Sequence, residues 1–182
     1  MKIIDVFDAA RDGTYEQFRK CYTGNINEIS KDLGGLNLLS LALVNNNKES
    51  DKIKIIKFLL SEKIDLTFID KKAKRSVLHV FYFNVLEASA EYLLEVTKLL
   101  IEAGVDINGE DKYGATPLKY AITLTKLETD EMIPIYQYFL ENGADYKHKD
   151  MFGKSCLDYA KEYSWRNGFI QLVGEYENGK QK

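Results

Sequence analysis

One four-residue pattern comes back four times at nearly constant spacing, and it limits what this chain can fold into more than any other feature. Asn37-Leu38-Leu39-Ser40, Ser76-Val77-Leu78-His79, Thr116-Pro117-Leu118-Lys119 and Ser155-Cys156-Leu157-Asp158 start 39 or 40 residues apart. A turn stands before each: Asp32-Leu33-Gly34-Gly35, a degraded Asp70-Lys71-Lys72-Ala73-Lys74, Asp111-Lys112-Tyr113-Gly114 and Asp150-Met151-Phe152-Gly153. Three of the blocks close on a further signal. Leu59-Leu60 leads to Ile64-Asp65, Leu99-Leu100 to Gly104-Val105-Asp106, and Phe139-Leu140 to Gly143-Ala144-Asp145.

Each part of the block has a physical reading. Asp-x-x-Gly makes a tight turn in which glycine takes a conformation other residues resist. Thr116 and Ser155 are placed to accept backbone N–H bonds at a helix start, and Pro117 sits where a first-turn proline costs nothing. Leu118, Ala121 and Ile122 then repeat at helical spacing. A second helix follows, as in Ile53, Ile56, Leu59 and Leu60 or Leu94, Leu99 and Leu100, and Gly104 and Gly143 end two of these as left-handed caps. A helix pair of this size exposes an apolar face it cannot bury alone, so the units must stack.

With these motifs in register, the chain resembles the ankyrin repeat, whose Asp-x-x-Gly-x-Thr-Pro-Leu-His opening and Leu-Leu-x-x-Gly-Ala-Asp ending both recur. The best copy is 111–149, and the resemblance covers roughly residues 31–165. It implies an all-α ankyrin solenoid of helix-turn-helix repeats joined by hairpin-like turns. The expected layout is one domain over 1–182: a degenerate capping unit (1–30), repeats at 31–69, 70–110 and 111–149, and a fourth repeat with its cap at 150–182. Armadillo and HEAT helices have a similar period, but the Asp-x-x-Gly turns and capped Thr-Pro-Leu start argue against them. The usual ankyrin period is ~33 residues. The surplus falls at 45–52, 85–92 and 125–132, and predicts a longer first helix or an extended loop there. At the N-terminus Ile3, Phe7 and Ala10 mark one helical face and Tyr15, Phe18 and Tyr22 a second. The polar segment from Asn178 is expected to fray.

Composition excludes several function classes. A formal net charge of −3 and a pI near 5.5 leave no footprint for nucleic acid or an anionic membrane. Met1 to Ala10 carries Asp5 and Asp8 and no long apolar run, which does not read as a signal peptide. No stretch approaches the ~18 apolar residues of a membrane span. Cys21 and Cys156 form neither a disulfide framework nor a metal motif. The expected state is a cytoplasmic protein with reduced thiols, monomeric when free and without a cofactor or metal. No Gly-rich phosphate loop, Gly-x-Ser-x-Gly, His-Glu-x-x-His or Cys-x-x-Cys occurs. His79 holds the position of the ankyrin histidine that bonds a neighbouring turn, and His148 is expected to be solvated. An enzyme would have to use Cys156 or His79.

A binding module is therefore the expected function. In proteins of this resemblance ligands dock on the concave surface made by the turn tips and the open side of each first helix. At the tips lie Lys72, Arg75, Lys112, Tyr113, Met151 and Phe152; along the first helices lie Phe83, Tyr120, Tyr159 and Tyr163. Exposed aromatics there would dominate interface energy. The alternative is that some of them, in a chain with 12 Tyr and 9 Phe, simply pack on one another, as Tyr120 on Tyr159. A second candidate surface is an acidic ridge of Glu49, Asp51, Glu87, Glu91, Glu128, Asp130 and Glu131, set against the plainer reading that acids belong at helix starts. Short Lys/Ile/Asn/Tyr-rich ankyrin chains of this kind resemble those of Gram-positive bacteria. That implies either an immunity protein occluding a basic toxin or an effector or regulatory adaptor docking a host or cytosolic protein.

Overall fold

The computed structural model describes residues 2–85 and 88–180. Its helices come in pairs: α1 (Val6–Asp12) with α2 (Tyr15–Cys21), α3 (Leu38–Leu43) with α4 (Glu49–Ser61), α5 (Val77–Asn84) with α6 (Ala90–Glu102), α7 (Pro117–Leu124) with α8 (Thr129–Glu141), and α9 (Cys156–Glu162) with α10 (Asn167–Lys180). A short 3-10 turn, Ser164–Arg166, joins the last pair. First helices pack in a row, α1 on α3 on α5 on α7 on α9, and second helices do the same from α2 to α10. One apolar cluster threads both layers from Val6 to Val173. Among the described residues the only β-type pairing is an isolated bridge between Ile29 and Asn37. The arrangement is an all-α helix-pair solenoid.

The tip turns show why a stacked chain keeps its register. Asp111 Oδ1 accepts the N–H groups of Tyr113 (2.8 Å) and Ala115 (2.9 Å). Asp70 takes those of Lys72, Ala73 and Arg75, and Asp150 those of Phe152 and Lys154. In the first repeat the sequence points to Asp32, but that residue is exposed. Buried Ser30 does the work instead: its Oγ accepts Leu33 N–H, and its own N–H closes the loop on Leu36 C=O. Consecutive tips are then stitched together by Lys112 N–H to Ala73 C=O and Met151 N–H to Tyr113 C=O, both at 2.9 Å.

Several helix starts follow the capping logic, while Lys48 before α4 takes a left-handed conformation and makes no side-chain cap bond. Asn37, Ser89 and Ser155 each accept an N–H from the first turn. Thr116 makes no such bond. The surplus residues do not lengthen the first helices, which run six to eight residues. At 45–48 and 125–128 they form a short link, and in all three repeats the surplus runs into the opening turn of a 13-residue second helix. α10 also continues through Asn178 to Lys180, where composition predicts fraying.

These inserted turns bind each repeat to the next. Glu49 accepts Ser89 N–H (2.8 Å) and Ser89 Oγ–H (2.7 Å), 40 positions on. Asp51 Oδ1 accepts Tyr15 N–H, and Thr129 Oγ donates to Trp165 C=O. At both ends of the stack a fully buried cation caps the carbonyl end of a neighbouring first helix. Lys52 Nζ donates to Ala10 and Arg11 C=O. The Arg166 guanidinium donates to the carbonyls of Ile122, Thr125 and Leu127. Much of the acidic row thus has a capping or bridging role. Glu87 lies outside the described residues.

Two predictions follow from the backbone and from Lys52. Lys63 and Lys74 stand at φ +60° and +56°, in places where the other repeats carry Gly104, Gly143, Gly114 and Gly153. Lys63→Gly and Lys74→Gly are each expected to stabilise the fold by about 0.5–1 kcal/mol, since a left-handed side chain costs ~1–2 kcal/mol and glycine's extra unfolded freedom takes back part of it. The gain is read as a higher urea midpoint at constant slope, and Lys63→Ala should show none. Burial lowers the Lys52 ammonium to about 8, with Asp12 opposing the shift. Between that value and the ordinary lysine range the unfolded chain binds more protons than the folded one, so stability rises with pH. From pH 7.5 to 9.5 a gain on the order of 1–2 kcal/mol is expected, and Lys52→Met should abolish it.

Candidate functional site: the aromatic pocket on the tip face

First helices have neighbours on both sides and the second-helix layer behind them. Only a strip along the tips and last turns is left open. Tyr120, read from sequence as an open first-helix position, is therefore buried, as are Leu41 and Val80. Tyr120 is 6% exposed. Its hydroxyl donates to Asp111 Oδ2 at 2.7 Å, and its ring meets His79 edge-on at 5.0 Å. The Tyr120 ring meets His79 and Phe83 rather than Tyr159, the partner that the alternative reading gave it.

What the strip leaves open is a shallow pocket of about 200 Å³ between the third and fourth tips. Phe83, Tyr113, Tyr120, Leu124 and Phe152 wall it, with Thr123, Asp111 and Lys119 completing the lining. Phe152 is 65%, Phe83 44% and Tyr113 40% exposed. Large apolar side chains this open, gathered round one concavity, make it the candidate site. Phe83 comes from the end of α5, Leu124 from the end of α7, and Tyr113 and Phe152 from matching positions of successive turns.

Cations edge this pocket. The Arg75 guanidinium lies 3.7 Å over the Phe83 ring, and its Nε–H donates to Tyr120 Oη at 3.1 Å. Lys112 Nζ sits 4.8 Å over Tyr113. Lys119 Nζ is 3.5 Å from Asp150 Oδ2 and 4.7 Å over the Tyr159 ring. Burial and the bond to Asp111 raise the Tyr120 phenol to about 12 against the opposing pull of Arg75, so it stays protonated and donating. Burial works against Asp150 ionising, but bonds from Tyr159, Lys154 and Phe152 prevail and hold its carboxyl below the ordinary range.

The remaining sequence candidates lie apart from the pocket lining. Tyr159 is half-buried, its hydroxyl donating to Asp150 Oδ2 at 2.6 Å. Met151 (65% exposed) and Lys72 stand on the tips. Tyr163 packs on Trp165 at 4.9 Å, beyond the far end of α9. Lys119 was not a sequence candidate as a site residue. Its only signal is that it takes the fourth place of the quartet, where His79 stands one repeat earlier.

The residues weighed for catalysis have structural partners. His79 Nε2–H donates to Ala115 C=O at 2.8 Å while Nδ1 accepts from Ser76, and burial lowers its pKa. His148, expected in solvent, is half-buried with Nε2 2.9 Å from Gly114 C=O. Two imidazoles thus hold one turn. Burial raises the Cys156 thiol to about 12, away from thiolate chemistry. Among the described residues no three His, Cys, Asp or Glu side chains gather where a metal could sit, and no helix is long and apolar enough to cross a membrane.

Comparison with known proteins agrees with this geometry. The family model for ankyrin repeats (three copies) matches residues 50–150, more than half the chain. The chain belongs to the ankyrin-repeat family, whose repeats are protein-interaction modules. It is 26% identical over 128 residues to ankyrin repeat protein T5 of rabbit fibroma virus, across 69% of this chain and 24% of that protein. It is 33% identical over 143 residues to the NAD-dependent deacetylase sir2B of Dictyostelium discoideum, across 75% and 17%. It is also 27% identical over 139 residues to the palmitoyltransferase AKR1 of Lachancea kluyveri, across 76% and 17%. The chain spans about a quarter or less of the length of these relatives. They come from a virus and two eukaryotes rather than from the Gram-positive bacteria of the sequence resemblance.

Tyr120→Phe tests whether that residue is framework. It strips a buried donor from Asp111 Oδ2 and the acceptor of Arg75 Nε–H, and is expected to cost about 1–2 kcal/mol in chemical denaturation. Tyr113→Ala, on the open side, should stay within ~0.5 kcal/mol of the parent.

Proposed function

We propose that this chain is a non-catalytic docking module. Its tip face receives a protein partner, with the pocket of Phe83, Tyr113, Leu124 and Phe152 as the anchoring point. The observation that carries this is the gathering of exposed aromatics from α5 and two successive tips around one concavity. Tip positions are not fixed by stacking, so their side chains are free to serve recognition. Aromatic anchors in such pockets supply the hot spots of protein interfaces. In this reading the protein is cytoplasmic, monomeric when free of its partner, keeps Cys21 and Cys156 reduced, and uses no cofactor or metal.

The narrower reading, an immunity protein that occupies a basic toxin, calls for an acidic docking face. The pocket rim is cationic, so that reading draws support only from the acids Glu49, Asp51, Glu91, Asp130 and Glu131 in the opening turns of α4, α6 and α8. Glu49 and Asp51 are already bonded to neighbouring repeats. A regulatory adaptor or effector that uses the pocket fits the tip face better.

The test is affinity capture of partners by the intact chain, followed by binding measurements with each captured protein. Tyr113→Ala combined with Phe152→Ala should weaken binding at least thirtyfold, the equivalent of one lost hot spot. Trp165→Ala, an exposed aromatic (53%) away from the pocket, should leave it unchanged. Undiminished binding by the double variant means the docking face lies elsewhere.

A further inference from the structure

The pocket's rim carries information about its occupant that the aromatics do not. Arg75 is fixed on two sides, by Phe83 beneath its guanidinium and by Tyr120 Oη on its Nε–H. Among the described residues no carboxylate pairs with it. A guanidinium held in this way on the Phe83 wall of the pocket is a planar fork, the chemistry that binds a carboxylate through parallel bonds. Lys112 rests on Tyr113 and likewise has no ion pair among the described residues. Lys72 stands exposed on the adjoining tip.

The buried turn acids at the pocket are already engaged, and the exposed Glu110 beside them lies 3.5 Å from His148 Nε2. Asp111 is buried, with Oδ1 on two backbone N–H groups and Oδ2 on Tyr120. Asp150 is buried as well and is held by Tyr159 and Lys119. Glu162 is paired to Lys154 at 2.6 Å. The open face of the pocket is thus apolar in the middle and positive at the edge. Its volume of about 200 Å³ lies below the ~300–1,000 Å³ of typical small-molecule sites, which suits one bulky side chain rather than a whole ligand.

We propose that the tip-face pocket takes an acidic peptide segment of its partner: one large apolar side chain enters between Phe83, Tyr113 and Phe152, and a neighbouring Asp or Glu is bound by the Arg75 fork, with Lys112 adding attraction. This rests on the tip face being the docking surface and adds the chemistry of what docks. Aromatic rings with cations also suit a single nucleic-acid strand. A single side-chain-sized pocket, on a chain of net charge −3, favours the acidic peptide.

The experiment is selection of a random twelve-residue peptide library on the intact chain, then fluorescence anisotropy with the selected peptides and with a labelled twelve-nucleotide oligouridylate. The expected winners carry Asp or Glu within two positions of Phe, Leu, Ile or Met. Their affinity should fall about tenfold in Arg75→Gln, as for a lost charge-assisted bond, and with rising salt. Lys112→Glu, a surface change, should weaken them a few-fold and carries the test if Arg75→Gln loses its fold. Neutral or basic winners that are still lost in the Tyr113→Ala, Phe152→Ala double variant overturn the acidic partner and leave the docking face standing. Acidic winners indifferent to that double variant overturn the docking face itself. Oligouridylate binding that outcompetes the peptides and disappears in Arg75→Gln overturns the proposal in favour of nucleic acid. A library with no winners overturns both.

Discussion

The Asp111 carboxylate ties the turn, the core and the open face of the third repeat into one arrangement. Oδ1 closes the tip by accepting two backbone N–H groups, and Oδ2 takes the hydroxyl of Tyr120 from the following helix. Tyr120 in turn accepts the Arg75 Nε–H from the preceding repeat, while the Tyr113 carbonyl receives Met151 N–H from the next one. A single buried acid therefore fixes the tip's shape, the pocket's inner wall and the direction of the one arginine at its rim. The same design recurs at Asp150, where Tyr159 takes the place of Tyr120. The Arg75 side of the rim is thus pinned by a relay through buried Asp111 and Tyr120 rather than by surface ion pairs, which contribute little when solvated.

Stacking also explains which parts of this could be read from the chain alone. The quartets, the Asp turns and the closing glycines are local signals, each with a local cause, and the helices form where those signals stand. The first-repeat turn was less legible because a serine hydroxyl replaces the carboxylate. Ser30 sits seven residues before Asn37, whereas Asp111 sits five before Thr116, so the more conspicuous Asp32 draws the eye. The inserted segments were equally hard to divide. Whether residues 45–52 extend the first helix or open the second depends on lateral partners such as Glu49 with Ser89 and Lys52 with Ala10, and those partners lie 40 or so positions away.

The site shows the same division. Tyr113 and Phe152 were legible because a tip is exposed in any stack of this type, and large apolar residues there stand out. Tyr120 was not, since the position after the quartet is closed off by neighbouring first helices, a tertiary effect with no local mark. Nor could sequence foretell how the quartet's last residue would be used. His79 reaches forward to Ala115 C=O; Lys119 meets Asp150 and the Tyr159 ring; Asp158 turns back to accept from Ser155. One repeat position thus serves as inter-repeat bond, rim cation and helix cap in turn.

Charge is distributed by place in the repeat, and this matters more to function than the net value. The acids Glu49, Asp51, Glu91, Asp130 and Glu131 occupy the opening turns of the second helices, where the helix dipole favours them. The tips instead carry Lys71, Lys72, Lys74, Arg75, Lys112 and Lys154, and the turn acids among them are buried with their oxygens occupied. A mildly acidic protein can in this way present a positive local face, because Asp70, Asp111 and Asp150 are buried in the turns they build. Mean charge accordingly points toward a basic partner, while local charge at the pocket points toward an acidic one. Over the ~8 Å screening length at physiological salt, a charge at the rim acts more strongly on a nearby group than the net charge does, which is why the proposed occupant follows the rim rather than the pI.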